Sequence, residues 1–178
     1  MSDTKLLYTK EQIQTRVKEL AQQLATEYHG KNPLIVGVLK GSFILLADLV
    51  RELYQQGLKD IEVDFLTISS YGTSTTSSGT PHILSDVSKD IAGRDVILVD
   101  DIFDTGHTLH FVQKVLKERN PSSLKTLVLL SKSARRVVQV PVEYIGFEIE
   151  GTPWVEGYGL DGGEFGRGRP DIAEKITK

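Results

Sequence analysis

The sequence of 178 residues contains no cysteine, which excludes disulfide bonds, cysteine-ligated zinc, iron–sulfur clusters and thiol nucleophiles. It also has no run of about 18 apolar residues, the length that a membrane-spanning helix needs. The sequence has no excess of positive charge either, because it contains 21 Lys and Arg and 24 Asp and Glu, for a net charge of −3. The chain lacks the overall basic field of a nucleic-acid-binding protein. We therefore expect a cytoplasmic protein that binds neither a membrane nor a nucleic acid.

The chain does contain a regular alternation of strand and helix patterns, over a length that fits one domain. Short apolar runs rich in branched residues predict strands, and apolar residues at helical spacing predict helices. The strands are predicted at 33–39, 61–69, 95–99, 124–131 and 142–149. The helices are predicted at 9–28, 42–56 and 105–119. Buried strands that alternate with amphipathic helices indicate an α/β fold with a mainly parallel sheet, whose ligands bind beyond the carboxyl ends of the strands.

The strongest functional signal is the segment 96–108, in which a buried strand leads directly into acidic residues. Asp100 and Asp101 are adjacent, and Asp104 opens a Thr-Gly-His-Thr turn ahead of a helix. Three carboxylates this close repel one another unless a cation or a polyol binds them. The turn at 105–108 combines backbone N–H groups, two hydroxyls and a helix N-terminus, which together suit an anion. The segment indicates a phosphorylated sugar and a divalent cation, whereas the simpler alternative is a turn with Asp104 as the helix N-cap.

This segment resembles the phosphoribosyl-pyrophosphate signature of the type I phosphoribosyltransferases. Along almost the whole chain, the sequence resembles the hypoxanthine-guanine members of that family. The other matching pieces are Leu39-Lys40-Gly41-Ser42-Phe43, Ser69-Ser70-Tyr71-Gly72, Leu130-Ser131-Lys132, Ile145-Gly146-Phe147-Glu148 and Trp154-Val155-Glu156-Gly157-Tyr158-Gly159-Leu160-Asp161. The resemblance implies the type I phosphoribosyltransferase fold as a single domain over 1–178. Residues 150–178 and the N-terminal segment would form a small hood that binds the base.

The resemblance also implies an activity, a cofactor and an assembly. The enzyme would transfer the 5-phosphoribosyl group from phosphoribosyl pyrophosphate to N9 of hypoxanthine or guanine, giving IMP or GMP and pyrophosphate. Mg²⁺ would be the cofactor, and the chain would form a homodimer or a homotetramer. Asp100 and Asp101 would hold the ribose hydroxyls and the metal, and Asp104 would accept the proton from the purine N7. The 5-phosphate would be bound by Asp104, Thr105, Gly106, His107 and Thr108.

Lys40 and Gly41 follow the first predicted strand. A lysine beside a residue without a side chain lets both an ammonium group and a backbone N–H approach a diphosphate, although a solvated lysine at a helix start has the same pattern. The resemblance assigns the pyrophosphate to Lys40, Gly41, Ser70, Tyr71 and Arg167. In similar members the peptide bond at 39–40 is cis. The small polar residues of 71–80 indicate a flexible linker, which the resemblance interprets as a lid over the active site.

The resemblance assigns the purine to Lys132, Trp154, Val155 and Asp161. Lys132 would donate to the purine O6 and so favour 6-oxopurines, although a lone lysine after a strand is usually solvated. Trp154 would stack on the base, where many relatives have Phe, and the backbone of Val155 would meet the base edge. Asp161 would also bind the metal through water. A further departure is Asp100, because many relatives have Glu there.

Three other functions remain open from the sequence. One is a relative that prefers xanthine, and another is a nucleotide-binding module without catalysis. The third is a regulatory protein that shares this fold and binds RNA, as the pyrimidine attenuation regulators do. Those regulators carry an apolar residue at the position of Asp104, so this acid favours an enzyme.

Overall fold

A computed structural model describes residues 3–69, 81–162 and 165–176. Within these residues the chain forms two β-sheets and three α-helices. The strands are β1 (Thr4–Tyr8), β2 (Leu34–Leu39), β3 (Glu62–Ile68), β4 (Ile83–Ser85), β5 (Asp95–Phe103), β6 (Ser123–Lys132), β7 (Tyr144–Ile149), β8 (Val155–Glu156) and β9 (Ile172–Lys175). The helices are α1 (Lys10–Glu27), α2 (Phe43–Gln55) and α3 (His107–Lys117).

The larger sheet has six strands in the order β4-β3-β2-β5-β6-β7. Five of them are parallel, and only the short edge strand β4 runs antiparallel to its neighbour. Alternate residues of the central strand β5 point to opposite faces: Ile97 and Val99 join the core that packs on α1 and α2, whereas Val96 and Leu98 join the core under α3. Because both faces are covered, the residues from Val96 to Val99 are all apolar, and the predicted α/β fold is confirmed.

The helix ends explain where the functional turns begin. Thr9 caps α1, and its side chain and that of Gln12 form the predicted capping box. By contrast, α3 begins after Gly106, which has a φ of 92° and no side-chain cap. Asp104 is therefore not the N-cap of α3, and its carboxylate is available for another role.

The smaller sheet has the order β1-β9-β8 and lies in the segments for which a hood is predicted. Its strands, and the edge strand β4, have two to five residues each, too few for an alternating pattern to stand out in the sequence. Two predicted strands extend further than expected: β5 includes Asp100 and Asp101, and β6 includes Lys132. No helix in the part of the chain that the structure describes is long and apolar enough to cross a membrane.

Candidate active site

A cavity of about 1070 Å³ opens at the carboxyl ends of β2, β3 and β5. Most of the predicted site residues that the structure describes line it, although they come from four separate segments of the chain. These lining residues are Lys40, Gly41, Asp100, Asp101, Asp104, Thr105, Gly106, Thr108, Asp161 and Arg167. His107 does not line the cavity and is the first residue of α3. Ser70, Tyr71 and the predicted lid at 71–80 lie outside the described residues.

The loop after β2 meets the acidic pair at close range. The Leu39–Lys40 peptide bond is cis. A Cβ built on Gly41 would lie 1.7 Å from Oδ2 of Asp101, so only glycine fits beside this carboxylate. Gly159 in turn approaches the carbonyl oxygen of Gly41, since a Cβ on Gly159 would lie 2.2 Å from it. Both glycines are needed because two loops and a carboxylate share one small space.

The two adjacent aspartates at the end of β5 have unusual electrostatics. Asp100 is buried, and its Oδ1 accepts a hydrogen bond of 2.9 Å from the backbone N–H of Asp101. Burial raises the pKa of Asp100 well above its usual range, and the neighbouring carboxylate adds to the effect. Burial also raises the pKa of Asp101, while its hydrogen bonds and the positive charge of Arg167 oppose the rise. A cation at this pair would relieve both the desolvation and the repulsion.

The acidic residues do not form a complete metal site by themselves. Across residues 3–69, 81–162 and 165–176, no three Asp, Glu or His side chains converge closely enough to hold one ion. Mg²⁺ is commonly held by one or two protein carboxylates, with the remaining ligands supplied by water and substrate phosphates. The Asp100–Asp101 pair fits this kind of binding, in which the substrate completes the coordination.

Asp104 has two carboxylate oxygens in different surroundings. Its Oδ2 lies 3.2 Å from Nη1 of Arg135, in an ion pair whose arginine is 46% exposed. Its Oδ1 is buried and accepts no hydrogen bond from any residue that the structure describes. A buried acceptor without a donor is costly, so this oxygen is ready to take a proton or a donor from a bound ligand.

The turn after Asp104 is hydrogen-bonded to the chain segment at 137–138. The backbone N–H groups of Val137 and Val138 both donate to the carbonyl of Thr105, at 3.0 and 2.9 Å. Gly106 sits so close to this segment that a Cβ on it would lie 2.1 Å from the carbonyl oxygen of Val138. The positive φ and the close contact together require glycine, and they fix the turn that opens α3.

Lys132, which is predicted to bind the purine, contacts the segment just before two other predicted purine residues, Trp154 and Val155. Lys132 is 4% exposed, and its Nζ donates a 2.7 Å hydrogen bond to the carbonyl of Pro153. Burial lowers the pKa of Lys132, while Asp104 and Asp101 partly oppose the shift. Trp154 is 56% exposed and Val155 is buried. Lys132, Trp154 and Val155 do not line the large cavity, whereas Asp161 does, yet the charges of Asp104 and Asp101 still act on Lys132.

Asp161 and Arg167 contact each other directly. The Arg167 Nη2 donates to Oδ2 of Asp161 at 2.5 Å, and Nη1 donates to the carbonyl of Gly159 at 2.6 Å. The resemblance assigns Asp161 to the metal and the purine, and it assigns Arg167 to the pyrophosphate. Here they form one charged pair at the wall of the cavity.

Sequence reasoning missed the consecutive arginines Arg135 and Arg136. Arg135 pairs with the carboxylate of Asp104. Arg136 donates to the backbone carbonyls of Asp104 and Phe103. The available signal was two adjacent cationic residues that begin four positions after the end of a predicted strand at 131. It was too weak on its own, because arginines are mostly exposed in proteins whatever their role.

Comparison with known proteins shows which family the chain belongs to. The phosphoribosyl transferase domain family matches residues 3–161. The chain is 44% identical to a hypoxanthine-guanine phosphoribosyltransferase of Aquifex aeolicus, over 94% of this chain and 92% of that one. It is 42% identical to the Dictyostelium discoideum protein of the same name, over 95% and 93% of the two chains.

Two solved structures show the same fold. The Trypanosoma cruzi hypoxanthine phosphoribosyl transferase superposes with a TM-score of 0.89 at 40% identity, covering 97% of this chain and 91% of that chain. A hypoxanthine-guanine phosphoribosyltransferase from Bacillus anthracis superposes with a TM-score of 0.87 at 37% identity, over 99% of both chains. With its acidic run, its glycine-dependent loops and these relatives, the chain belongs to the phosphoribosyl transferase domain family.

Proposed function

We propose that this phosphoribosyltransferase transfers the 5-phosphoribosyl group from phosphoribosyl pyrophosphate to N9 of hypoxanthine or guanine, releasing pyrophosphate. One observation carries the proposal. The paired carboxylates of Asp100 and Asp101 and the turn that begins at Asp104 line one cavity together with Lys40 and Gly41. The full-length relatives at 44% and 42% identity, which carry that enzyme name, support the choice of purine.

The reaction exchanges one bond at the anomeric carbon of the sugar for another. The bond from this carbon to the pyrophosphate oxygen breaks, and its electron pair leaves with the pyrophosphate. Lys40 and Arg167 would bind this leaving group, and their positive charge becomes more favourable as negative charge develops on it. The purine N9 supplies the electron pair for the new bond. Asp104 would accept the proton that the base loses at N7, with the buried Oδ1 as acceptor.

Asp100 and Asp101 would hold the ribose hydroxyls and, with Asp161, the metal. Mg²⁺, when bound with the substrate, supplies positive charge that stabilises the leaving pyrophosphate. The raised pKa values of Asp100 and Asp101 support a cation here, since burial of their negative charge is what raises them. The turn at 104–108 would bind the 5-phosphate through its backbone N–H groups and hydroxyls.

The choice of base would depend on Lys132. Its ammonium group has three donors, and one of them binds the carbonyl of Pro153, so the side chain is oriented before a ligand arrives. A donor at the purine 6-position favours the oxo group of hypoxanthine and guanine over the amino group of adenine. Trp154 would stack on the base, and the backbone of Val155 and the neighbourhood of Asp161 would meet its opposite edge.

Steady-state assays with phosphoribosyl pyrophosphate, Mg²⁺ and each of four bases test this proposal. Hypoxanthine and guanine should give IMP and GMP at the highest kcat/KM, xanthine a lower value and adenine no measurable product. A higher kcat/KM with xanthine would favour the xanthine-preferring alternative. No product with any base, together with RNA binding, would favour the regulatory alternative.

The homodimer or homotetramer and the cytoplasmic location stay predictions from the sequence. Light scattering of the purified protein measures the assembly directly.

A further inference from the structure

Arg136 connects the ends of two neighbouring strands. Its Nε donates to the carbonyl of Asp104 at 2.9 Å. Its Nη2 lies within hydrogen-bond distance of the carbonyl of Phe103 at 3.1 Å, of Oγ of Ser131 at 3.1 Å and of the carbonyl of Lys132 at 3.3 Å. The guanidinium group also lies over the ring of Phe103, with Cζ 3.0 Å from the ring centre.

These contacts occur where the main-chain pairing between β5 and β6 ends, at Phe103 opposite Ser131. Beyond this point β5 and β6 no longer pair with each other, and buried carbonyls need donors. Arginine suits the place because its planar group offers several donors in fixed directions, whereas lysine offers a single flexible ammonium. One side chain thus satisfies acceptors from both strands at once.

Two of the four acceptors belong to residues that carry the proposed chemistry. One is the carbonyl of Asp104, the proposed proton acceptor, and another is the carbonyl of Lys132, the proposed purine donor. The geometry points to Arg136 as a positioning residue that fixes the distance between Asp104 and Lys132, and so the place of the purine ring between its N7 and O6 partners. This inference rests on the roles proposed above for those two residues.

After Asp104, the 5-phosphate turn has a support that does not involve the Arg136 side chain. The backbone N–H groups of Val137 and Val138 hold the carbonyl of Thr105 without any help from the Arg136 side chain. Loss of the guanidinium group should therefore disturb the purine more than the sugar phosphate. A purely structural arginine would affect both substrates equally, or neither of them.

Arg16 provides a matched control. Its guanidinium group also donates to two backbone carbonyls, those of Gly146 and Ile145, both at 2.8 Å. These carbonyls lie in β7 at the edge of the sheet, and none of the three residues lines the large cavity. Arg16→Met thus removes the same kind of contact at a distance from the proposed chemistry.

The test compares Arg136→Met, Arg136→Lys and Arg16→Met in steady-state assays with hypoxanthine, at temperatures where each variant is folded. Arg136→Met should lower kcat by about 10- to 100-fold, the effect of a displacement of about 1 Å in a reacting group. It should raise the KM for hypoxanthine severalfold and leave the KM for phosphoribosyl pyrophosphate within about twofold. Arg136→Lys should recover part of the loss, and Arg16→Met should keep both KM values and kcat.

A folded Arg136→Met with unchanged kcat and hypoxanthine KM would overturn the inference, and so would equal KM changes for both substrates. If Arg136→Met does not fold, Arg136→Lys provides the test. The change in its KM for hypoxanthine is then compared with the change in its KM for phosphoribosyl pyrophosphate. Asp104→Asn and Lys132→Ala, measured in the same assays, test the proposed roles of Asp104 and Lys132 separately from the positioning role of Arg136. Full activity in both would refute their proposed roles, whereas their loss of activity beside an unaffected Arg136→Met would refute only the positioning role.

Discussion

The carboxylate of Asp101 lies against the backbone of Gly41, so close that a Cβ on Gly41 would be 1.7 Å from Oδ2. The contact joins the proposed pyrophosphate loop to the proposed metal and ribose site. Gly41→Ala must therefore move the loop or the carboxylate by more than 1 Å. We expect kcat/KM to fall about 100-fold or more, because misplacement of about 1 Å has this effect in active sites.

Gly168→Ala is the matched control for this substitution, since a Cβ at Gly168 meets no atom within 4 Å and its φ is not in the left-handed region. It should retain the activity and the melting temperature of the unmodified protein. Activity within a fewfold of normal in Gly41→Ala would contradict the close packing that we describe.

Asp104→Asn should keep the fold and the binding of nucleotide while lowering turnover. The amide has the same shape, but it cannot accept the proton that we assign to Oδ1 of Asp104. General acid–base catalysis contributes about 10²–10⁴-fold, so kcat should fall within this range. Rapid kinetics and the melting temperature, measured on the same preparation, separate catalysis from folding. A variant with full turnover would remove Asp104 from the role of base.

Lys132→Ala should weaken the binding of hypoxanthine and guanine more than that of phosphoribosyl pyrophosphate. A hydrogen bond to a charged group contributes about 1.5–3 kcal/mol, so the KM for the base should rise roughly 10- to 100-fold. Lys125→Ala, which removes a lysine that pairs with Glu27 away from the cavity, controls for general loss of charge. Equal losses for base and sugar diphosphate would indicate a phosphate role or a folding defect.

Asp100→Asn should stabilise the protein at neutral pH while it lowers activity. The pKa of Asp100 is higher in the folded state than in the unfolded state, where it is about 4. Protonated Asp100 therefore makes its full contribution to stability at pH values below about 4. The contribution is lost as the pH rises through the raised pKa, because the buried group must then ionise. Asparagine carries no charge and escapes this loss.

The measurement is the melting temperature from about pH 4 to about pH 8 in the presence of a chelator, which keeps divalent cations from the site. The gain of Asp100→Asn over the unmodified protein should grow with pH across this window. The exposed Asp60, changed to Asn, serves as the control and should show no such trend. A gain in melting temperature that is independent of pH would mean that the pKa of Asp100 is not raised by folding.

The sequence predicted the parts of the fold that repeat over several residues. The long apolar strands β2, β5 and β6 and the amphipathic helix α1, with its Thr9–Gln12 capping box, were predicted because burial on one or two faces leaves a clear pattern. The two-residue strand β8 and its partner β9 were not, because their pairing depends on distant chain segments and not on local pattern.

The candidate site divides in the same way. Asp100, Asp101 and Asp104 stand together in the sequence, and their density reveals them. The contact of Gly41 with Asp101 and the bridge from Arg136 to Asp104 join residues that are far apart in the chain, so only the folded structure brings them together. Arg136 also donates to backbone carbonyls. Because every residue has a backbone carbonyl, such a contact cannot be recognised from the sequence.

The most direct test of the account is the balance of products when the purified protein meets phosphoribosyl pyrophosphate, hypoxanthine and Mg²⁺. Phosphorus NMR resolves IMP, pyrophosphate and ribose 5-phosphate in one spectrum. We expect IMP and pyrophosphate to appear in equal amounts, with no ribose 5-phosphate from hydrolysis and no turnover without the base. Pyrophosphate release without IMP, or no reaction at all, would contradict phosphoribosyl transfer to the purine.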